Sequence, residues 1–370
     1  MAQRAPDARA RLGEAYHRVG EHCVPVIEFT LAKVFIDYKA WDAIPDQGDV
    51  AVSELAEKTG GTQEVLDRIT TFFVSTGLLT SPSPGRVAHT ERSRSFRAGE
   101  PVAGVYTHMF NTLLRPMAQL PDFFAKEGFA SPRDNKVTPF GWAFGVYDKP
   151  AHEILLANAT VRDGFTQAMR EIGPMYTLRG IYDMSWAKEG IQPQRPVFVD
   201  VGGSHGLALK DILALNPFVS PEQVVLFDLA GVIENTKKNI LPRDATLQKV
   251  QIRTGNMFDP YPAEVHGAQV YHIRRVLNAY PDDEVVRALQ NVCKVAAPDT
   301  RLLIVEELLS PQRYVLNVLV DIYFMCAAGK RRSAEQFTEL AERAGFRLSG
   351  QYDNINSSWD DFSVLEYVVA

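Results

Sequence analysis

The stretch VFVDVGGSHGLALKDIL, residues 197–213, decides how the chain is read. Val197 to Val201 form an apolar run broken only by Asp200, the pattern of a strand covered on both faces. Gly202, Gly203, Ser204, His205 and Gly206 make a turn, after which Leu207 to Leu213 carry apolar residues at helical spacing. Such a turn lets a ligand approach the backbone closely, and the helix behind it offers unpaired N–H groups and a positive dipole end.

Downstream, four more short runs alternate with helical patterns: VVLFD at 224–228, VQIRTG at 250–255, VYHI at 270–273 and LLIVEE at 302–307. Runs rich in Val, Ile and Leu separated by helices predict a doubly wound, largely parallel sheet, and so an α/β fold of Rossmann-like architecture. Asp228 ends the second run, where an acidic side chain accepts hydrogen bonds from ribose hydroxyls. An adenosine-type ligand is therefore expected. The order GGSHG fits the dinucleotide glycine pattern poorly, which argues against a nicotinamide dehydrogenase.

Pro193 and Pro196 mark where this region begins, giving a nucleotide-binding domain over 191–370. Upstream, apolar residues at helical spacing from Ala10 to about Trp41 predict a long helix that Pro25 kinks or divides. A helix of this kind wants a partner surface such as another subunit. Ser53 can cap a second helix that Gly60-Gly61 ends, and Thr62 starts a third that stops at Gly77. A ribbon from Leu78 to His89 follows, turning at Pro82, Pro84 and Gly85. Helix, turn, helix and ribbon make a winged-helix pattern over 1–100. Glu64 and Asp67 against a single Arg68 make a poor surface for phosphates, so a dimerising role is expected and DNA reading is not. Residues 101–190 read as a helical connector, in which VTPFGWAFGVYDKP supplies Phe140, Trp142 and Phe144 as candidates for a flat apolar pocket.

Composition narrows the function further. With 370 residues, 46% hydrophobic, the chain can build more than one core. A net charge of −6 gives no general pull toward nucleic acid or anionic lipid. The three cysteines, Cys23, Cys293 and Cys326, lie too far apart for a disulfide framework or zinc spacing, and no metal is expected. Neither a signal-peptide core at the start nor an apolar stretch of membrane-spanning length is present, and a cytoplasmic protein is expected.

Several motifs in order give a family resemblance from about residue 25 to the C-terminus. VDVGGSHG resembles the glycine motif of the plant and fungal small-molecule O-methyltransferases, the class typified by caffeate methyltransferase. FDLAGVI resembles its ribose-binding turn, GNMFDPYP the segment that cradles adenine, and RRVLNAYPDDE, LLIVEELL and AAGKRRSAEQF its catalytic elements. The resemblance implies S-adenosylmethionine as cofactor, a homodimer interlocked through the winged-helix domain, and Gly202, Gly203, Ser204, Asp228, Asn256, Met257 and Arg274 around the cofactor. Asn256 stands where the family usually has Asp; an amide can still hydrogen-bond the adenine amino group, so cofactor binding is expected to survive.

The same resemblance exposes what is missing. Methylating a phenol, of pKa about 10, requires a base, which the family supplies as the His of a His-Asp-Trp motif oriented by glutamates. Here Asn278, Ala279 and Tyr280 occupy that motif, and Asn278 cannot accept a proton. Of the orienting glutamates, one is retained as Glu306 and the other is replaced by Arg331. Three readings follow. Methyl transfer could go to a carboxylate or acidic hydroxyl, with Arg331 as an anion clamp. The fold could instead serve as a methyltransferase-like pericyclase or dehydratase, in which Asn278, Arg331 and His108 or His272 stabilise an oxyanion. The third reading is a homologue that only binds. Either histidine has an ordinary structural explanation. Phe140, Trp142, Phe144, Met169, Phe324 and Met325 are the expected lining of a pocket for a small substrate, polyketide-derived or aromatic.

Overall fold

The computed structural model describes residues 8–309, 315–354 and 362–370. The chain divides into two units, one of residues up to 111 with 164–168, the other of 112–163 with 169–370. The expected connector at 101–190 is thus shared between them.

In the first unit a single helix runs Ala8–Asp37 and continues through Pro25. Of the kink or division expected there, the division does not occur. Proline removes one backbone bond, but residues 21–27 are exposed, so the carbonyl it frees stays hydrated. The helices Val52–Thr59 and Gln63–Ser75 follow, the first ended by Gly60 at φ 72° and the second capped by Thr62, whose Oγ1 accepts from Val65 N. Ser53 does not cap. It lies inside a helix whose N-cap is Ala51, because Val50–Ala51 is already fixed as a strand, β1. With β2 (Leu79–Thr80) and β3 (Arg86–His89) it forms an antiparallel sheet in the order β1-β3-β2, completing the winged-helix arrangement. Phe35, Trp41 and Phe73 pack ring against ring at its centre, with centroids 4.9–5.2 Å apart.

The second unit carries a sheet of β4 (Phe198–Val201), β5 (Val224–Asp228), β6 (Gln251–Thr254), β7 (Val270–Arg274), β8 (Arg301–Glu307), β9 (Phe346–Asp353) and β10 (Phe362–Val369). Their order is β6-β5-β4-β7-β8-β10-β9, all parallel except β10, which runs antiparallel to both neighbours. Fully buried Val, Leu and Phe side chains on β4, β5, β7 and β8 feed two cores, one on each face. The run at 250–255 departs from this pattern: β6 is an edge strand whose residues are only partly covered. Strand order reverses between β4 and β7, and a ligand of an open α/β sheet sits outside the carboxyl ends at such a point.

Candidate functional site

Every segment singled out for the nucleotide lies at a carboxyl end of β4, β5, β6 or β7. After β4 the turn bends back through left-handed residues, with φ of 74° at Gly202, 51° at Ser204 and 73° at Gly206, before the helix Leu207–Leu215. A Cβ on Gly203 would stand 2.4 Å from Asp200 Oδ2 and 2.5 Å from Leu226 Cδ1, so this glycine is required by the protein's own packing. Asp228 ties the turn down: its Oδ2 accepts from Ser204 N at 2.8 Å and its Oδ1 from Leu229 N at 2.7 Å. Burial, aided by the charge of Asp200, raises its carboxyl to about 6. Asn256 Oδ1 accepts from Phe258 N at 3.0 Å, an Asx turn that sets the segment after β6. Met257 is buried in the core, and its carbonyl accepts from Asn291. Arg274 Nη1 donates to Tyr176 O at 2.8 Å, and burial lowers its pKa. A cavity of about 300 Å³ is lined by Gly173, Thr177, Leu207, Lys210, Asp211 and Arg274.

Asn278 lies just beyond β7 and is 1% exposed. Its Nδ2 donates to Glu306 Oε2 and to Glu307 O, both at 3.1 Å. The main-chain carbonyl of Glu307 only accepts, so the amide orientation is determined, and Oδ1 is left buried without a partner among the described residues. Glu306 Oε1 in turn accepts from the backbone N–H groups of Val276, Leu277 and Asn278. Full burial next to Glu307 raises Glu306 to about 7 despite those donors. From the other side, Lys330 N donates to Asn278 O at 2.9 Å. A Cβ at Gly329 would stand 2.1 Å from that oxygen, so only glycine lets this loop close over Asn278.

Arg331 is not presented as the free fork that an anion clamp requires. Its Nε and Nη2 donate to the carbonyls of Glu307 and Leu308, at 3.3 and 2.5 Å. The adjacent Arg332, which sequence reasoning passed over, is fully buried and braces the turn after Asn278 through Leu277 O, Tyr280 O and Asp282. Arg275 was also missed. It adopts a left-handed φ of 55°, lays its guanidinium 4.1 Å over the Tyr176 ring, and pairs with Glu307 at 3.5 Å. Two arginines in a row give no sequence signal for which one faces the site.

The two histidines separate. His272 pairs with Asp200, Nδ1 to Oδ1 at 2.8 Å, an acid 72 positions away that only strand register brings alongside. His108 belongs to the first unit, 2% exposed, with its ring edge-on to Phe165 at 5.3 Å. Of the expected lining residues, Met169 Sδ lies 3.8 Å from Arg275 Nη1, and Phe140 N donates to Cys326 O, next to Phe324 and Met325. The Trp142 ring packs on Phe123 and Tyr147, and that of Phe144 on Phe140 under Arg115.

A family model described as an O-methyltransferase domain matches residues 125–347. The chain belongs to the O-methyltransferase family. Among curated members, Methyltransferase phm5 of Pyrenochaetopsis sp is 34% identical, with 98% of each chain covered. Methyltransferase pvhD of Talaromyces variabilis is 36% identical, with 99% of each covered. OxaC solved with SAH and oxaline superposes with a TM-score of 0.83 at 20% identity, covering 95% of this chain and 87% of its own. LepI, solved with SAM, gives 0.80 at 20%, covering 99% and 95%. These two structures share the fold. S-adenosylmethionine is the cofactor of this family member, and the residues present fit it: a carboxylate able to accept from ribose hydroxyls, an amide able to accept from the adenine amino group, and a glycine turn at a helix N-terminus beside an orphaned buried carboxylate oxygen.

Proposed function

We propose that the protein transfers the methyl group of S-adenosylmethionine to an acidic hydroxyl of a small apolar secondary metabolite. The carrying observation is Asn278. It keeps the hydrogen bond to Glu306 that would orient a histidine, yet presents a carbonyl oxygen where that histidine would present a basic nitrogen. An amide oxygen takes a hydrogen bond and does not take a proton. The acceptor must therefore ionise by itself, and Asn278 orients it by accepting from a neighbouring O–H or N–H of the substrate. A carboxylate, the other acceptor considered, is disfavoured, because a lone pair at Oδ1 repels it and Arg331 is engaged by main-chain carbonyls. The cofactor supplies an electrophilic methyl group on a cationic sulfur, and an ionised oxygen needs only to be aligned with it. Kinship over nearly the whole chain with fungal proteins named methyltransferases supports this reading.

Acceptors differing in hydroxyl pKa test it. Turnover at neutral pH is expected with acceptors of pKa below about 7 and is expected to collapse toward ordinary phenols near 10. Equal rates across the series would overturn the proposal. Substrate conversion without methylation would point instead to the pericyclic chemistry of a neighbour described as a pericyclic reaction enzyme, which shares the fold at a TM-score of 0.80.

We further infer a homodimer. Leu12, Tyr16, Val19 and Val26 recur at alternating steps of four, three and seven along the helix Ala8–Asp37 and are 71%, 83%, 58% and 49% exposed. A second copy presenting the same seam covers it. Sedimentation equilibrium is expected to show a dimer, and charged residues at positions 12 and 19 are expected to give monomer; a wild-type monomer contradicts the inference. No described helix is long and apolar enough to cross a membrane.

A further inference from the structure

Asp200 and His272 face one another across β4 and β7, in register at the point where the strand order reverses. Both are 1% exposed. A carboxylate only accepts, so His272 Nδ1 donates to Asp200 Oδ1, which fixes both the ring and the carboxyl plane. The ring is wedged against Phe198, with centroids 5.1 Å apart. The second oxygen of the same carboxylate, Oδ2, is buried with no hydrogen-bond partner among the described residues. An orphaned buried carboxylate oxygen is costly, and proteins keep one where a ligand completes it. Its location identifies the ligand: Oδ2 would lie 2.4 Å from a Cβ on Gly203, so it reaches the underside of the cofactor's glycine turn.

We propose that His272 is a positioning residue for the cofactor, holding Asp200 so that Oδ2 accepts a hydrogen bond from the α-ammonium group of S-adenosylmethionine. The inference rests on the cofactor assignment. Of the cofactor's N–H and O–H donors, the ribose hydroxyls are matched by Asp228 and the adenine amino group by Asn256. The α-ammonium remains, and it is the cationic donor that a buried anion at the glycine turn requires. Neither strand holds a motif that announces the pair, because the two residues meet only through parallel pairing 72 positions apart.

Two ligands separate this role from simple support of the fold. S-adenosylhomocysteine carries the α-ammonium, whereas 5′-methylthioadenosine keeps the nucleoside and the thioether and lacks the amino-acid end. Calorimetric titration of His272→Phe is expected to weaken S-adenosylhomocysteine about 10- to 100-fold, by analogy with the loss when the outer partner that orients a metal ligand is removed. Binding of 5′-methylthioadenosine is expected to stay within about twofold. His272→Asn, whose amide N–H can replace the Nδ1 donor, is expected to recover most of the affinity, whereas His272→Gln, whose amide reaches the Nε2 position, is not. This second pair decides the matter if the Phe variant does not fold. Equal weakening of both ligands, unchanged S-adenosylhomocysteine affinity, or identical behaviour of the Asn and Gln variants would overturn the proposal. A wild-type protein that binds neither ligand would remove the cofactor assignment itself, an outcome distinct from these.

Discussion

Replacing Glu306 by Gln removes a carboxyl that the fold holds far from its ordinary state. Burial raises it from 4.5 to about 7, so between those values the folded protein retains a proton that the unfolded chain has released. Its contribution to stability is fully present below about 4.5 and is lost as pH rises through about 7. At ~1.4 kcal/mol per pH unit up to the folded value of about 7, and little beyond it, the loss between pH 5 and 7.5 amounts to about 2 kcal/mol. Glutamine has no proton to exchange, so the stability of the variant relative to wild type should improve by that amount over the same range. Urea titrations of both proteins across pH 5 to 8 read this difference directly. A constant gap between them would refute the reasoning, because it would mean that Glu306 releases its proton at the same pH in the folded and the unfolded protein. The variant should also lose turnover while still binding S-adenosylhomocysteine. Gln Nε2 would face Asn278 Nδ2, two donors, and turning the Asn278 amide over would set its Oδ1 against Glu307 O, two acceptors, so in either orientation Asn278 loses the pairing that holds it in place.

Asn278→His restores a base in contact with Glu306 and should bring phenol methylation up by about 10²-fold, the low end for a general base, since the second orienting carboxylate is absent. Product formation from a simple phenol checks this. Affinity for S-adenosylhomocysteine should be flat above pH 7 and fall, by up to about tenfold per unit, below about 6 as Asp228 protonates; Asp228→Asn should flatten that profile. Gly329→Ala forces a Cβ against Asn278 O, 2.1 Å away, and should cost about 1–3 kcal/mol while abolishing turnover; thermal melts and an activity assay together report both effects.

Much of the architecture was legible because it is written in local pattern. The runs at 197–201, 224–228 and 270–273 became the central strands, and Gly60 and Thr62 ended and capped helices as read. Legibility failed where neighbours decide. Whether Pro25 breaks a helix depends on whether the carbonyl it frees can reach water, and Ser53 lost its capping role to a strand that ends one residue before the helix. At the site, that residue 278 is no base is legible in its identity, because an amide does not take a proton. The direction of Arg331 is not, since the carbonyls of Glu307 and Leu308 that engage it carry no signature in side-chain identity. The pairing of His272 with Asp200 needs strand register, and the bracing by Arg332 needs a fold in which residues 277–282 turn back beneath it.

The central claim is that methyl transfer survives without a base because the acceptor supplies its own anion. Its most direct test follows the methyl group: protein, S-adenosylmethionine labelled in the methyl carbon, and an acidic-hydroxyl acceptor, with product mass and S-adenosylhomocysteine measured together. The expected result is one label per product molecule and an equal amount of S-adenosylhomocysteine. Acceptor consumed with no label gained and no S-adenosylhomocysteine formed would contradict it.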